Sequence, residues 1–325
     1  MFDFIKNIIK QKAMLYCAVT ALRTWTLRLQ VILKRTLGCS LQQILDFPEN
    51  LVQSTEPSEF KYELTVCLKF KNEARFLDEW IRFHQLVGVE HFYLYNNNSN
   101  DDYSTVLQPH IASGLVTLHE WPAVPAFPSV NVHCARTYRN QARWIAFLDA
   151  DEFLFGTTED DLRIILKDFR DYPAVVVNWL YFGWNGHVNR PAGLVIENYT
   201  RREQRINEHI KSIVNPRKVI KAVTTHYWLY TGFERAVNEK EQRVTGGFSR
   251  PPSVERLRIN HYYDKSREDF FSKIGIGTVE NNPHLSNRLA GFWHECCRNH
   301  NQIEDLTVGR YILSLNPKSN LLGQK

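Results

Sequence analysis

From Tyr62 onward the chain alternates between two hydrophobic periods, and that alternation narrows its possible folds more than any other feature. Tyr62, Leu64, Val66, Leu68 and Phe70 are separated by Glu63, Thr65, Cys67 and Lys69, the period of two of a β-strand. Residues 73–87 then set Phe76, Leu77, Trp80, Ile81, Leu86 and Val87 on one helical stripe, closed by Gly88. The pattern predicts further strands over 91–95, 115–119, 144–148 and 174–180, with helices over 130–143 and 162–169. Strands separated by helices imply an α/β fold with a mostly parallel sheet. Such sheets bind ligands beyond the carboxyl ends of their strands, which singles out 71–73, 96–102 and 149–152.

Composition sets the class around this core. Of 325 residues, 43% are hydrophobic and 23% charged, enough apolar surface for one large domain or two modest ones. Disordered, collagen-like and coiled-coil chains are excluded. The net charge of +5 is unevenly placed. Residues 1–45 hold seven Lys or Arg against the single acid Asp3, so the arm carries +6 and the rest −1. A near-neutral body lacks the electrostatic term that nucleic-acid binding needs.

The arm spaces Phe2, Phe4, Ile5, Ile8, Ile9 and Leu15 at helical intervals among lysines, a composition suited to an anionic membrane surface or to packing on the body. Its uncharged run, residues 13–22, is about half of the ~20 residues a spanning helix needs. Residues 46–60 read as a linker rich in Pro, Ser, Asn and acids. The six scattered cysteines fit reduced thiols in a cytoplasmic protein. The cluster His294, Cys296, Cys297 and His300 matches no standard zinc spacing.

Asp149 and Asp151 follow the apolar run WIAFL, where an extended backbone would aim both carboxylates the same way. Paired hard oxygen donors at a strand exit suit Mg²⁺ or Mn²⁺ with positions left for phosphate oxygens. The run from Asn96 through Asp102 reads by composition as a turn, with a rim for a ribose or base as the alternative. Trp179, Phe182, Trp184 and His187 gather around FGWNGH, an aromatic set able to stack on a sugar acceptor or to fill a core.

These segments converge on one family. The runs CLKFKNEARFLDEWIRFHQLVGVEHFYLYNNNSNDD, ARWIAFLDADEFLF, FGWNGH, KSIVNP and INHYYDKSREDFFSKI resemble glycosyltransferase family 92 and related bacterial family-2-like enzymes, over about residues 62–280. The resemblance implies the GT-A fold over 61–290, with a nucleotide-sugar half at 61–155 and an acceptor half at 156–290, followed by a tail at 291–325. It implies Asn72 and Glu73 at the nucleotide, Asn97 and Asp101 near ribose or base, and Asp149 with Asp151 on the metal, with Glu152 behind them. His261 or His226 completes the metal or diphosphate contacts. Lys211, Ser212 and Lys265 offer a cation, a hydroxyl and a second cation for pyrophosphate charge.

The resemblance also implies inverting, metal-dependent transfer from a UDP-sugar, with galactose the family's common donor sugar, to a glycan or glycolipid acceptor in surface polysaccharide or glycoconjugate synthesis. A carboxylate must then take the acceptor proton. Glu197, expected to open a helix whose dipole keeps it ionised, is the candidate, ahead of Glu203 and Glu234. Two other classes compete: a glycoside hydrolase with paired carboxylates and a non-catalytic carbohydrate-binding protein. The expected location is the cytoplasm, at the inner face of the plasma membrane.

Overall fold

The two hydrophobic periods resolve into β1 (Tyr62–Phe70), α1 (Ala74–Leu86), β2 (His91–Asn96), α2 (Tyr103–Ala112), β3 (Val116–Glu120), α3 (Ser129–Thr137) and β4 (Ala142–Leu148). The computed structural model describes residues 57, 59–276, 293 and 297–316. The arm at 1–45, nearly all of the linker, and Cys17, Cys39, His294 and Cys296 lie outside the described residues. No helix among the described residues is long and apolar enough to cross a membrane.

Helix α3 stops at Thr137, six residues before the end that periodicity predicts. The ladder explains the difference. Tyr62 pairs with Ala142 and Leu64 with Trp144, so residues 142 and 143 belong to β4 rather than to the helix. Helix α1 buries Leu77, Trp80, Ile81 and Phe83, and its polar atoms pin it to the sheet. Trp80 Nε1 donates to the carbonyl of Glu152 at 2.8 Å. The amide of Leu154 donates to His84 Nε2 at 3.2 Å, so His84 Nδ1 carries the proton and donates to the Trp80 carbonyl at 2.8 Å.

Further along come β5 (Glu152–Gly156), α4 (Leu162–Leu166), β6 (Ala174–Tyr181), α5 (Val195–Asn198), β7 (Arg201–Arg202), β8 (Asn207–Val214), β9 (Val219–Thr224), β10 (Tyr227–Tyr230), β11 (Val237–Asn238) and β12 (Leu257–His261). They are followed by α6 (Arg267–Ile276), β13 (Ile303–Glu304) and α7 (Ile312–Leu315). Among the described residues the main sheet has nine strands, in the order β3-β2-β1-β4-β8-β6-β12-β5, with β11 beside β6. Strands β3, β2, β1 and β4 are parallel; β8 enters antiparallel between β4 and β6. This is the α/β architecture expected from the sequence.

Two apolar layers cover the sheet. One gathers Trp80, Phe83, Leu107, Leu166 and Phe169; the other gathers Val130, Cys134, Val219 and Trp228 from α3 and the β9–β10 hairpin. Residues 297–316 pack into the same body. Strand β13 pairs with β7, Tyr311 meets Phe83 edge-on at 5.2 Å, and Asp305 lies between Arg202 Nε at 2.6 Å and Arg258 Nη2 at 2.8 Å.

Candidate active site

A cavity of about 430 Å³ opens over the carboxyl ends of β1, β4, β6 and β12. Asp149 and Asp151 both line it, but not from extended backbone. The Asp149 carbonyl accepts the Glu152 amide at 3.1 Å, a tight turn that reverses the chain between β4 and β5. The turn splits the carboxylates between two partners. Asp149 Oδ2 meets Lys211 Nζ at 2.5 Å, while Asp151 Oδ2 meets Lys273 Nζ at 2.6 Å and Oδ1 lies 3.4 Å from His261 Nε2. Beneath them Glu152 Oε2 accepts the Asp149 amide at 2.9 Å and sits 3.4 Å from Lys211.

Burial alone would raise the Asp149 carboxyl, but Lys211 and Lys69 outweigh it and bring it down to about 2. Asp151 behaves likewise: burial opposes ionisation, and Lys273 with His261 drives its pKa well below the ordinary range. Glu152 goes the other way, pushed up by burial. Burial also lowers the His261 imidazole against the pull of Asp151. The turn thus holds two ionised carboxylates over a third group that burial favours as neutral.

The rim is built by cross-bracing between loops. Asn72, in a left-handed conformation at φ 56°, receives the Asn100 amide on Oδ1 at 2.7 Å and gives its own amide to Ser99 Oγ at 2.9 Å. Asp101 Oδ2 accepts the Ala74 amide at 2.8 Å, capping α1 from outside its own chain segment. Asn97 is buried and spends its Nδ2 on the carbonyls of Trp121 and Ala123. Asn72 and Glu73 therefore line the cavity, whereas Asn97 and Asp101 brace the loop behind it. Burial raises the Glu73 carboxyl. Lys265 also lines the cavity, with φ 49° and Nζ 4.2 Å over the Phe76 ring.

Other expected residues are placed elsewhere. Ser212 follows Lys211 on β8, so the strand's period of two turns it to the opposite face, where it meets Tyr230. Phe182 is fully buried against Tyr262 and has no face to offer a sugar. Trp184 packs on Trp293, and His187 Nε2 lies 3.1 Å from the Asn198 carbonyl. Trp179 does line the cavity. Glu197 is exposed on α5, away from the cavity lining. That helix is one turn long, and its leading amides, of Val195 and Ile196, are already taken by Glu79 at 2.7 and 3.1 Å. His261 rather than His226 stands against Asp151; His226 lines a different part of the cavity.

The structure adds Lys273, Asp269, Arg190 and His209 to the lining. Asp269 is fixed by Arg190 Nε at 2.6 Å and by the Ser266 hydroxyl at 2.7 Å. A signal for two of them was present: Asp269 and Lys273 stand four residues apart, on one face of a helix.

An α/β sheet whose parallel strands end under a cavity holding an Asp-x-Asp turn agrees with the GT-A fold that the family resemblance implies. The chain belongs to glycosyltransferase family 92, whose family model matches residues 62–245. It is 30% identical over 250 residues to a family 92 protein of Ricinus communis, covering 73% of this chain and 42% of that protein. A galactan beta-1,4-galactosyltransferase of Arabidopsis thaliana is 28% identical over 142 residues, 39% of this chain and 28% of its own length. The chain thus spans about two fifths of the Ricinus relative. Among solved structures, residues 1–349 of TarS from S. aureus, in complex with UDP-GlcNAc, superpose with a TM-score of 0.38 at 9% identity, covering 66% of this chain and 65% of that one.

Proposed function

We propose that this chain is an inverting glycosyltransferase that moves a sugar from a UDP-sugar to a glycan or glycolipid acceptor, with galactose the donor sugar favoured by the galactosyltransferase relatives. One observation carries the reading: a single cavity joins an acidic turn to the cationic side chains of Lys265 and Lys273. Acids suit a cation and lysines suit a diphosphate, and few ligands need both together.

The donor set fits Mn²⁺ or Mg²⁺. Lys211 and Lys273 bind Oδ2 of Asp149 and Asp151, which keeps Oδ1 of each carboxylate for a cation, with His261 beside the second. His261 Nδ1 is buried without a partner among the described residues. No group of three or more His, Cys, Asp or Glu forms a complete metal site among the described residues. Two carboxylates that leave positions for substrate phosphates are the usual provision for Mg²⁺. When bound, the ion would neutralise charge on the departing diphosphate.

The chain's own residues supply the remaining chemistry. Lys265 and Lys273 hold the diphosphate, and Asn72 and Glu73 border the nucleotide. Asp269, a carboxylate on the cavity wall oriented by Arg190 and Ser266, takes the proton of the acceptor hydroxyl. The basic arm holds the enzyme at an anionic membrane surface, and liposome flotation with and without residues 1–45 tests that role.

Calorimetry tests the donor site. Wild-type protein should bind UDP with Mn²⁺, bind it at least roughly tenfold more weakly in EDTA, and lose the Mn²⁺-dependent part in Asp151→Asn. UDP affinity indifferent to both EDTA and the substitution, in a variant with an unaltered circular dichroism spectrum, would defeat the metal assignment.

A further inference from the structure

On the side of the cavity formed by β6, β8 and the turn between β9 and β10, three rings stand together. Trp179 stacks on His209 at 5.3 Å and 15°, and meets His226 edge-on at 5.1 Å. All three line the same cavity as the acidic turn.

Their polar atoms are set for a ligand rather than for one another. His209 Nδ1 lies 2.8 Å from Asn207 Oδ1, and His226 Nδ1 lies 2.9 Å from the Ile210 carbonyl. Both partners are oxygens that only accept, so each Nδ1 carries the proton and each Nε2 presents a lone pair. No hydrogen bond to either Nε2 occurs among the described residues. Trp179 is 5% exposed, and its indole N–H is buried without an acceptor among the described residues. An unpaired buried donor is costly, which makes this one informative.

The neighbouring loop is shaped around these rings. Gly246 takes φ +83°, and a Cβ on Gly247 would stand 3.1 Å from the His226 Cβ. Phe248, 44% exposed, adds a ring 4.5 Å from His209 at the outer edge.

We propose that Trp179, His209 and His226 form a subsite for a neutral hexopyranose ring. The inference rests on the glycosyltransferase reading and names where a sugar sits within it. Two imidazole lone pairs accept from sugar hydroxyls, the indole N–H donates to a sugar oxygen, and the ring edges that line the cavity meet the sugar's C–H surface. Burial, with Lys211 adding to it at His226, lowers both imidazoles, His226 to about 4, which keeps the lone pairs unprotonated near neutral pH.

The sugar has two possible sources, the transferred sugar of the donor or the terminal sugar of the acceptor. Titrations with UDP, with UDP-galactose and with β-1,4-galactobiose in the presence of UDP separate them. His209→Phe and His226→Phe keep a ring and delete the acceptor nitrogen; His226→Gln returns an acceptor. Each Phe variant should leave UDP affinity within about twofold, which also reports a folded site, and weaken one sugar ligand at least roughly tenfold. His226→Gln should recover part of that loss. Weakened UDP-galactose assigns the ring to the donor, and weakened galactobiose assigns it to the acceptor. UDP weakened as much as the sugar ligands, or neither sugar ligand weakened, overturns the subsite. A wild-type protein that binds no UDP defeats the glycosyltransferase reading instead, and the galactobiose titration then still decides the subsite.

Discussion

Asp269 and Lys265 show how individual side chains are held for work in this cavity. A lysine at φ 49° occupies a region that costs a non-glycine residue roughly 1–2 kcal/mol, and Lys265 is nonetheless buried there with its ammonium over Phe76. Asp269 is gripped from two sides, so its carboxylate points one way. Asp269→Asn should lower kcat by roughly 10²–10⁴ while UDP affinity stays level, the signature of a lost proton acceptor. Equal loss of UDP binding would place Asp269 at the donor instead. Lys273→Met should weaken UDP at least roughly tenfold, because it removes a cation from beside the diphosphate. The acidic turn was legible because a short apolar run, WIAFL, that ends abruptly in charge is hard to explain otherwise. Ser212 was misplaced because nothing in KSIV reveals a strand, and only a strand turns neighbours to opposite faces.

Among the elements, those with strong periodicity were the readable ones. Strand β1 starts where predicted, α1 is one residue shorter than predicted at each end, and β2 is one residue longer at its carboxyl end. Strands β8, β9, β10 and β12 were not read at all. Strands β8, β9 and β12 mix charged and apolar residues, which breaks the alternation that marks a strand, and β10 is a four-residue run, YWLY, too short to show a period. Helix α5 illustrates the opposite error: a charged residue expected to exploit a helix end sits on a single turn whose end Glu79 already fills. The terminal segment is held by a buried acid between two guanidinium groups, with side-chain exposures of 7% for Asp305 and 6% for Arg258. Removing one member strands buried charge, so Asp305→Ala should cost about 3–5 kcal/mol, read by urea or thermal denaturation. A cost below about 1 kcal/mol would mean the arginines find other partners.

At the scale of the molecule, buried neutral histidines set the acid limit of stability. Burial lowers His84 to about 3, and burial with Lys61 lowers His91 to about 4. Unfolded imidazoles titrate near 6.5, so between there and pH 4 the unfolded chain binds more protons and stability falls as pH falls. Each group adds a slope of up to about 1.4 kcal/mol per pH unit. Thermal midpoints should therefore drop from pH 6.5 to 4.5; a flat series would mean these rings are protonated in the fold. Strand β8 carries a further consequence, for the order of assembly. It brings Lys211 to Asp149 from 62 residues downstream, and α6 brings Lys273 to Asp151 from 122. A ribosome releasing the chain from its N-terminus exposes the acidic turn long before either counter-charge exists. A fragment ending before Asn207 would keep both carboxylates without Lys211 or Lys273 and leave a bare edge on β4.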